Sequence, residues 1–447
     1  MQRILIIGAG RSSSALINYV LAKSGEYGWQ VTVADADPAA AEAKLKGHPR
    51  GIPAWLDVLK TNDRRDLISR SDIVVSLLPA HLHIEVAQDC IRLKKHLVTA
   101  SYVSQELYRL GDEARDRELI FMGEMGLDPG IDHMSAMQRL DRIRNKGGKI
   151  LAFRSFTGGL IAPESDTNPW RYKFTWNPRN VVLAGQGTAQ YLENSKLKFI
   201  PYQRLFGTPW EVNVKGLGKM EAYANRDSLL YRSQYGLDDI PTILRGTLRY
   251  PGFCRAWNAL VNIGLTDADF PILDSEKISY HELMEALAPR GAGSVKDRIA
   301  TLLEEDPNGN VMNKLVWLGL FRQKRIRLRD ATPALILEQL LLDKWKLESH
   351  DKDMIVMQHQ IDFELNGKQQ RETSNLIMKG EDAEDTAMAR TVGLPMGIFV
   401  RLIAEDKIKA TGVHIPTMAE VYEPVLKELE EYGLKFEDYL EEIKTEI

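Results

Sequence analysis

Short, β-branched apolar runs alternate with stretches of helical periodicity through the first third of the chain. Residues 3–7 (RILII) are almost wholly apolar and end in Gly8-Ala9-Gly10-Arg11-Ser12-Ser13; Leu16, Val20 and Leu21 then recur at helical spacing. A second apolar run, 31–34, stops at Asp35, and the Ala-rich stretch 38–45 reads as a helix with proline in its first turn. Residues 73–78 (IVVSLL), 97–100 and 119–122 read as strands, and 84–93 and 105–115 as helices. Fully apolar strands separated by helices predict an α/β fold with a doubly wound parallel sheet covered on both faces.

From about residue 150 the pattern changes. Strand-like runs such as 211–214 (EVNV) lie among polar loops marked by Pro and Gly, which fits an α/β domain with a mixed sheet. Between 252 and 346 helical periodicity dominates, at 256–261, 280–287, 295–303, 311–320 and 333–342, and predicts an all-α insertion. Strand character returns at 353–365, where Asn366-Gly367 followed by 370–378 signals a hairpin. A helix over 387–404 and a charged one over 424–431 close the chain.

A length of 447 residues allows roughly two to four domains. Lys and Arg total 58 against 62 for Asp and Glu, a net charge of −4, so no basic excess points to nucleic acid or an anionic bilayer. No run of about 18 consecutive apolar residues suggests a membrane span, and Met1 leads into a strand pattern rather than a secretion signal. The two cysteines, Cys90 and Cys254, supply neither a disulfide framework nor a CxxC metal cluster, so a cytoplasmic protein without a metal site is expected.

The glycine turn carries the first chemistry. In a dinucleotide fold the first glycine makes the tight turn, the second admits the pyrophosphate against the backbone, and the helix N-terminus receives the phosphates. Gly8 and Gly10 suit those roles, with Ser13 in the third, small position. Asp35 at the end of the second strand would accept from both ribose hydroxyls and repel a 2′-phosphate, which favours NAD; Arg11 leaves room for NADP. Strand ends of an open α/β sheet collect ligands, and here they present Asp57-Val58, Leu78, Ser101-Tyr102 and Leu127-Asp128-Pro129, with Asp128 fixed by a Pro-Gly turn and His133 nearby as a structural hydrogen bonder. Arg226 and Arg249 place two guanidinium groups in loop-like surroundings, suited to bidentate capture of carboxylates.

The succession SLLPAHLH (76–83), TASYVS (99–104), GEMGLDPGIDHM (123–134), TGGLIAPES (157–165), NPWRYKFTW (168–176), NRDS (225–228), RGTLRY (245–250), KDMIVM (352–357) and TVGLP (391–395) resembles the saccharopine dehydrogenase family of the L-glutamate-forming type over essentially the whole chain. The resemblance implies a Rossmann domain over 1–128 completed by 385–447, an α/β substrate and dimerisation domain over 129–250 and 347–384, and the helical insertion at 251–346. It implies NAD(P)-dependent oxidation of saccharopine to glutamate and 2-aminoadipate 6-semialdehyde, reversibly, in lysine metabolism, by a homodimer. Ser101, Tyr102, Asp128, Arg226, Thr247, Leu248 and Arg249 would contact the amino acid, with Asp128 and Tyr102 as the proton-handling pair. The cofactor would touch Gly8, Ala9, Gly10, Arg11, Ser12, Ser13, Asp35, Ala36, Asp37, Asp57, Val58, Leu78, Ala100, Ser101, Leu127, Asp128, Pro129 and Asn177. Where the family commonly has Cys before Gly-Gly, this chain has Thr157. Two rivals stay open: an imine reductase of carboxynorspermidine or homospermidine type, which would need an acidic pocket for a diamine, and a non-catalytic NAD(P)-binding sensor.

Overall fold

The apolar run Arg3–Ile7 (β1) is an interior strand of a seven-stranded sheet in which every pairing is parallel. This comes from a computed structural model that describes residues 2–443. Met1 and residues 444–447, which the resemblance assigns to the first domain, lie outside the described residues. After β1 come α1 (Ser14–Tyr27), β2 (Gln30–Asp35), α2 (Pro38–Leu45), β3 (Gly51–Trp55), α3 (Thr61–Ser69), β4 (Ile73–Ser76), α4 (His83–Leu93) and β5 (His96–Thr99). Then follow α5 (Gln105–Tyr108), α6 (Gly111–Asp116), β6 (Ile120–Met122) and α7 (Ile131–Asn145). The expected single helix 105–115 is thus two short ones, each ending near a glycine or charged turn.

The C-terminal part adds α8 (Ala387–Ala404), β7 (Gly412–His414) and α9 (Ala419–Glu431), and the strand order is β7-β6-β5-β4-β1-β2-β3. β7 extends the sheet beside β6. β3 carries Pro53, and it sits at the opposite edge, where a missing N–H costs no ladder bond. Apart from Arg3, the strands β1 and β4 are buried along their length, because helices cover both faces.

Chain contacts divide the molecule into two units. The first runs to Lys149 and resumes over Leu376–Glu437; the second spans Ile150–Asn375 and takes up the chain again at Asp438. The resemblance ends the first domain at 128, whereas α7 packs on α9 and the first unit runs on to 149. The return segment likewise starts at 376 rather than 385, and the final strand Glu437–Glu442 joins the second sheet.

By length and mean hydropathy (1.4) α8 could cross a membrane, yet 72% of it is buried inside the fold, as a core helix is. Its two glycines explain how closely it lies on α1. A Cβ at Gly393 would come 2.6 Å from the Leu16 nitrogen, and one at Gly397 would come 2.7 Å from the Tyr19 ring. Arg401 Nε donates to Tyr19 Oη (3.1 Å), and Tyr19 donates to Glu428 (2.6 Å), tying α8, α1 and α9 together. The C-terminal segment therefore holds the helix that follows the glycine turn.

The second unit is built on a nine-stranded mixed sheet. Its order is Trp210–Val214, Gly218–Ala224, Thr242–Arg249, Lys149–Ile161, Asp353–Leu365, Lys368–Lys379, Glu437–Glu442, with the hairpin Ala189–Glu193/Lys196–Ile200 beside Thr242–Arg249. The Asn366-Gly367 turn has positive φ at both residues (53° and 75°), as a type I′ hairpin requires. The helices Phe253–Ile263, Tyr280–Leu287, Val295–Leu302, Asn310–Leu318 and Pro333–Lys344 fall within this unit, where the sequence places the all-α insertion.

Candidate active site

In a sheet of parallel strands every carboxyl end lies on the same edge. The first unit therefore gathers on one edge the residues that the sequence offers separately: 8–13 after β1, 35–37 after β2, 57 and 58 after β3, 78 after β4, 100–102 after β5 and 127–129 after β6.

At the glycine turn, Gly8 has φ +109°, and a Cβ there would sit 3.2 Å from Leu77, so the fold itself demands glycine. Gly10 differs. Its backbone is extended (φ −71°, ψ −171°), and a Cβ would meet nothing within 4 Å. The fold leaves that space open, as a pyrophosphate lying against the backbone requires. Ala9, Arg11, Ser12 and Ser13 lead from this turn into α1. Asp35 closes the turn from the next strand: its Oδ2 accepts from Ala9 N (2.7 Å) and its Oδ1 from Asp37 N (2.9 Å). Asp37 in turn caps α2 by accepting from Ala39 N (3.0 Å), and Ala36 between them is exposed. Asp57 accepts from Leu59 N (3.1 Å), while the Val58 carbonyl accepts from buried Arg64, which is itself paired with Asp89 (2.8 Å). These residues fit a dinucleotide.

The carboxyl ends of β4 and β5 are joined by a histidine that the sequence shows only as a motif letter. His83 is buried, with Nδ1 2.9 Å from Ser76 Oγ and Nε2 2.8 Å from Ser101 Oγ and 3.1 Å from Thr99 Oγ1. Burial, with a smaller push from His81, lowers its pKa to about 4, so the ring is neutral at physiological pH.

Asp128 is the one residue between Phe121 and Met137 that is not buried. The turn that presents it is closed by Gly126 N donating to the Pro129 carbonyl (3.0 Å) and Ile131 N to the Gly126 carbonyl (2.8 Å). Gly130 (φ +146°) is obligatory there, since a Cβ would strike Gly126 at 2.1 Å. Tyr102 Oη lies 3.4 Å from Asp128 Oδ1. Beneath them, buried Glu124 accepts from Val103 N (3.1 Å) and meets His133 Nε2 at 2.8 Å, so one carboxylate ties the Tyr102 loop to α7. His133 thus has the structural role expected of it. Glu124 was missed; its only sequence signal is an acid inside an otherwise apolar, Gly-bounded run.

In the second unit, register decides the neighbours. Thr247 pairs with Thr157 on one side and Tyr223 on the other. Paired residues share a face, and Arg249, two positions on, shares it with them. Arg249 is 4% exposed; it donates to the Leu248 carbonyl (2.8 Å) and Tyr223 Oη (3.3 Å), and its guanidinium lies over the rings of Tyr172 (5.0 Å) and Phe253 (5.3 Å). No carboxylate pairs with it among the described residues, and its Nε has no acceptor. Thr157 Oγ1 is also buried without a partner, and Leu248 packs opposite Gly158. Arg226, by contrast, is exposed, in a left-handed conformation (φ 52°). Asn177 is exposed as well; its side chain caps the helix Pro178–Leu183 by accepting from Arg179 N (3.0 Å), and it belongs to the second unit rather than the first. Cys90 and Cys254 are buried free thiols, and burial pushes both pKa values up.

Residues 4–122 match the saccharopine dehydrogenase NADP binding domain, and residues 126–434 match the saccharopine dehydrogenase C-terminal domain. The chain is 33% identical to saccharopine dehydrogenase [NADP(+), L-glutamate-forming] of Saccharomyces cerevisiae, over 97% of this chain and 98% of that one. It is 34% identical to the alpha-aminoadipic semialdehyde synthase of Arabidopsis thaliana over 97% of its own length, but spans only 44% of that longer protein. The solved structure of apo saccharopine dehydrogenase (L-Glu forming) from Saccharomyces cerevisiae superposes with a TM-score of 0.88 at 30% identity, covering 99% of this chain and 100% of that one. The α/β architecture, the two matched domains and the full-length likeness agree: this chain belongs to the L-glutamate-forming saccharopine dehydrogenase family.

Proposed function

We propose that the protein is an NAD(P)-dependent oxidoreductase that oxidises the secondary amine of saccharopine, releasing L-glutamate and 2-aminoadipate 6-semialdehyde, and that it runs reversibly in lysine metabolism. The observation that carries this reading is Arg249. A guanidinium held among aromatic rings with no carboxylate of its own is costly unless a ligand supplies the anion, and saccharopine has three carboxylates. Arg226, exposed on its loop, would take another, and Thr247 and Leu248 line the same strand.

When bound, NAD(P) accepts a hydride from the carbon next to the amine nitrogen. The nitrogen must first be unprotonated, and Asp128 would take that proton, with the Tyr102 hydroxyl as the next station. Water then adds to the C=N bond, and the carbinolamine splits into an aldehyde and the amine of glutamate, which takes the returned proton. Ser101, held by neutral His83, orients the loop that carries Tyr102.

Two cations suit a tricarboxylate and oppose a diamine, which favours this reading over a polyamine-type reductase. Incubation with saccharopine and either NAD or NADP should produce the reduced cofactor. No reduction with saccharopine, alongside turnover of carboxynorspermidine, would overturn the reading, and cofactor binding without any turnover would leave a sensor. We also assign the protein to the cytoplasm as a homodimer. The two free buried thiols support the first, and Leu197 and Phe199, both about 60% exposed on the outer hairpin strand, support the second. Sedimentation at micromolar concentration tests the dimer.

A further inference from the structure

The Saccharomyces cerevisiae relative and the matched N-terminal family domain carry NADP in their names, yet the ribose end of this glycine turn is built against a 2′-phosphate. We propose that this chain selects NAD over NADP through Asp35. The inference rests on the function proposed above and concerns the cofactor that the same site takes.

Asp35 is fixed, not adaptable. Each carboxylate oxygen already holds one backbone N–H, from Ala9 and from Asp37, so the side chain cannot swing away without opening the glycine turn. One accepting site remains on each oxygen, which suits two ribose hydroxyls. A 2′-phosphate would bring a second anion against it.

The neighbouring segment offers no relief. The N-terminus of α2, which could otherwise receive a phosphate, has Pro38 without an N–H, and its Ala39 N–H is taken by Asp37, a further negative charge. No Lys or Arg stands between Gln30 and Lys44. Lys44 turns away to the Ser14 hydroxyl (2.5 Å). Arg11 is the nearest sequence cation; it is exposed and makes no ion pair among the described residues, and one solvent-screened charge at the surface does not offset two fixed carboxylates.

Direct titration with NADH and NADPH, following nicotinamide fluorescence without saccharopine, tests this. The wild-type chain should bind NADH at least about tenfold more tightly than NADPH. Equal binding, or tighter NADPH, overturns the proposal. Asp35→Ser removes the charge and also frees Ala9 N–H, so the readout is the ratio of the two affinities, which should shift towards NADPH; an unchanged ratio overturns the proposal. Ala36→Arg keeps that hydrogen bond and adds a cation at an exposed position, so it should raise NADPH affinity alone; an unchanged ratio would also overturn the proposal. Because substrate is absent, the ratio is readable whether or not saccharopine is turned over, and a failure here leaves the saccharopine reading standing.

Discussion

His83 Nε2 lies 2.8 Å from Ser101 Oγ, and the other ring nitrogen is 2.9 Å from Ser76, so one buried imidazole clasps the ends of two adjacent strands. Its pKa of about 4 lies below the unfolded value near 6.5, so the unfolded chain binds the proton first. The stabilisation is therefore complete above about pH 6.5 and is lost as pH falls towards 4. Between pH 7 and 4.5, urea unfolding of the wild type should lose about 2 kcal/mol more than that of His83→Asn. Parallel pH dependence in the two proteins would remove His83 as the titrating group.

Gly10 separates a demand of the ligand from a demand of the fold. Since its added Cβ meets no protein atom within 4 Å, Gly10→Ala should leave the thermal midpoint unchanged while weakening NADH at least about tenfold. Gly8→Ala should instead lower the midpoint, because Gly8 has φ +109°. Intact NADH binding by the Gly10 variant would show that no pyrophosphate lies there.

Arg249→Met should raise the KM for saccharopine at least about 30-fold, the loss of roughly 2 kcal/mol expected when a buried charge partner is removed. Cofactor affinity should not change. Because the guanidinium has no carboxylate partner among the described residues, the variant should be as stable as the wild type or more so. A large drop in stability with unchanged KM would make Arg249 a structural residue. Arg226→Ala should also act mainly on KM.

Asp128→Asn keeps the shape of the turn and removes the base. It should lower kcat by about 100-fold or more, with NADH binding intact; Tyr102→Phe should cost less. Full activity in Asp128→Asn would exclude the assigned proton-handling role.

Much of the fold was legible where local chemistry marks boundaries. Pro38 and the Asp37 cap start α2, Asn366-Gly367 forms its hairpin, and Thr386 caps α8, and each of these elements lies where the pattern puts it. The misses have physical causes. β3 contains a proline that only an edge strand tolerates, and α7 buries Asp132, His133 and Arg139, so its polar sequence conceals a core helix. Lys149–Ile161 shows no alternation because most of it is covered on both faces, and the pattern passed over it.

The sequence by itself determined which groups this protein has to work with: the Gly8–Ser13 turn, Asp35, the Asp128-Pro-Gly turn and the two arginines, since turn residues and strand ends are local properties. The tertiary structure decided who their neighbours are. Gly412–His414 completes a sheet begun by Arg3–Ile7, His83 reaches three hydroxyls on the ends of two adjacent strands, and Thr157 stands beside Thr247 and Tyr223. Such contacts depend on register between strands far apart in the chain, and that register is set by burying whole faces at once, which no local stretch of sequence can specify.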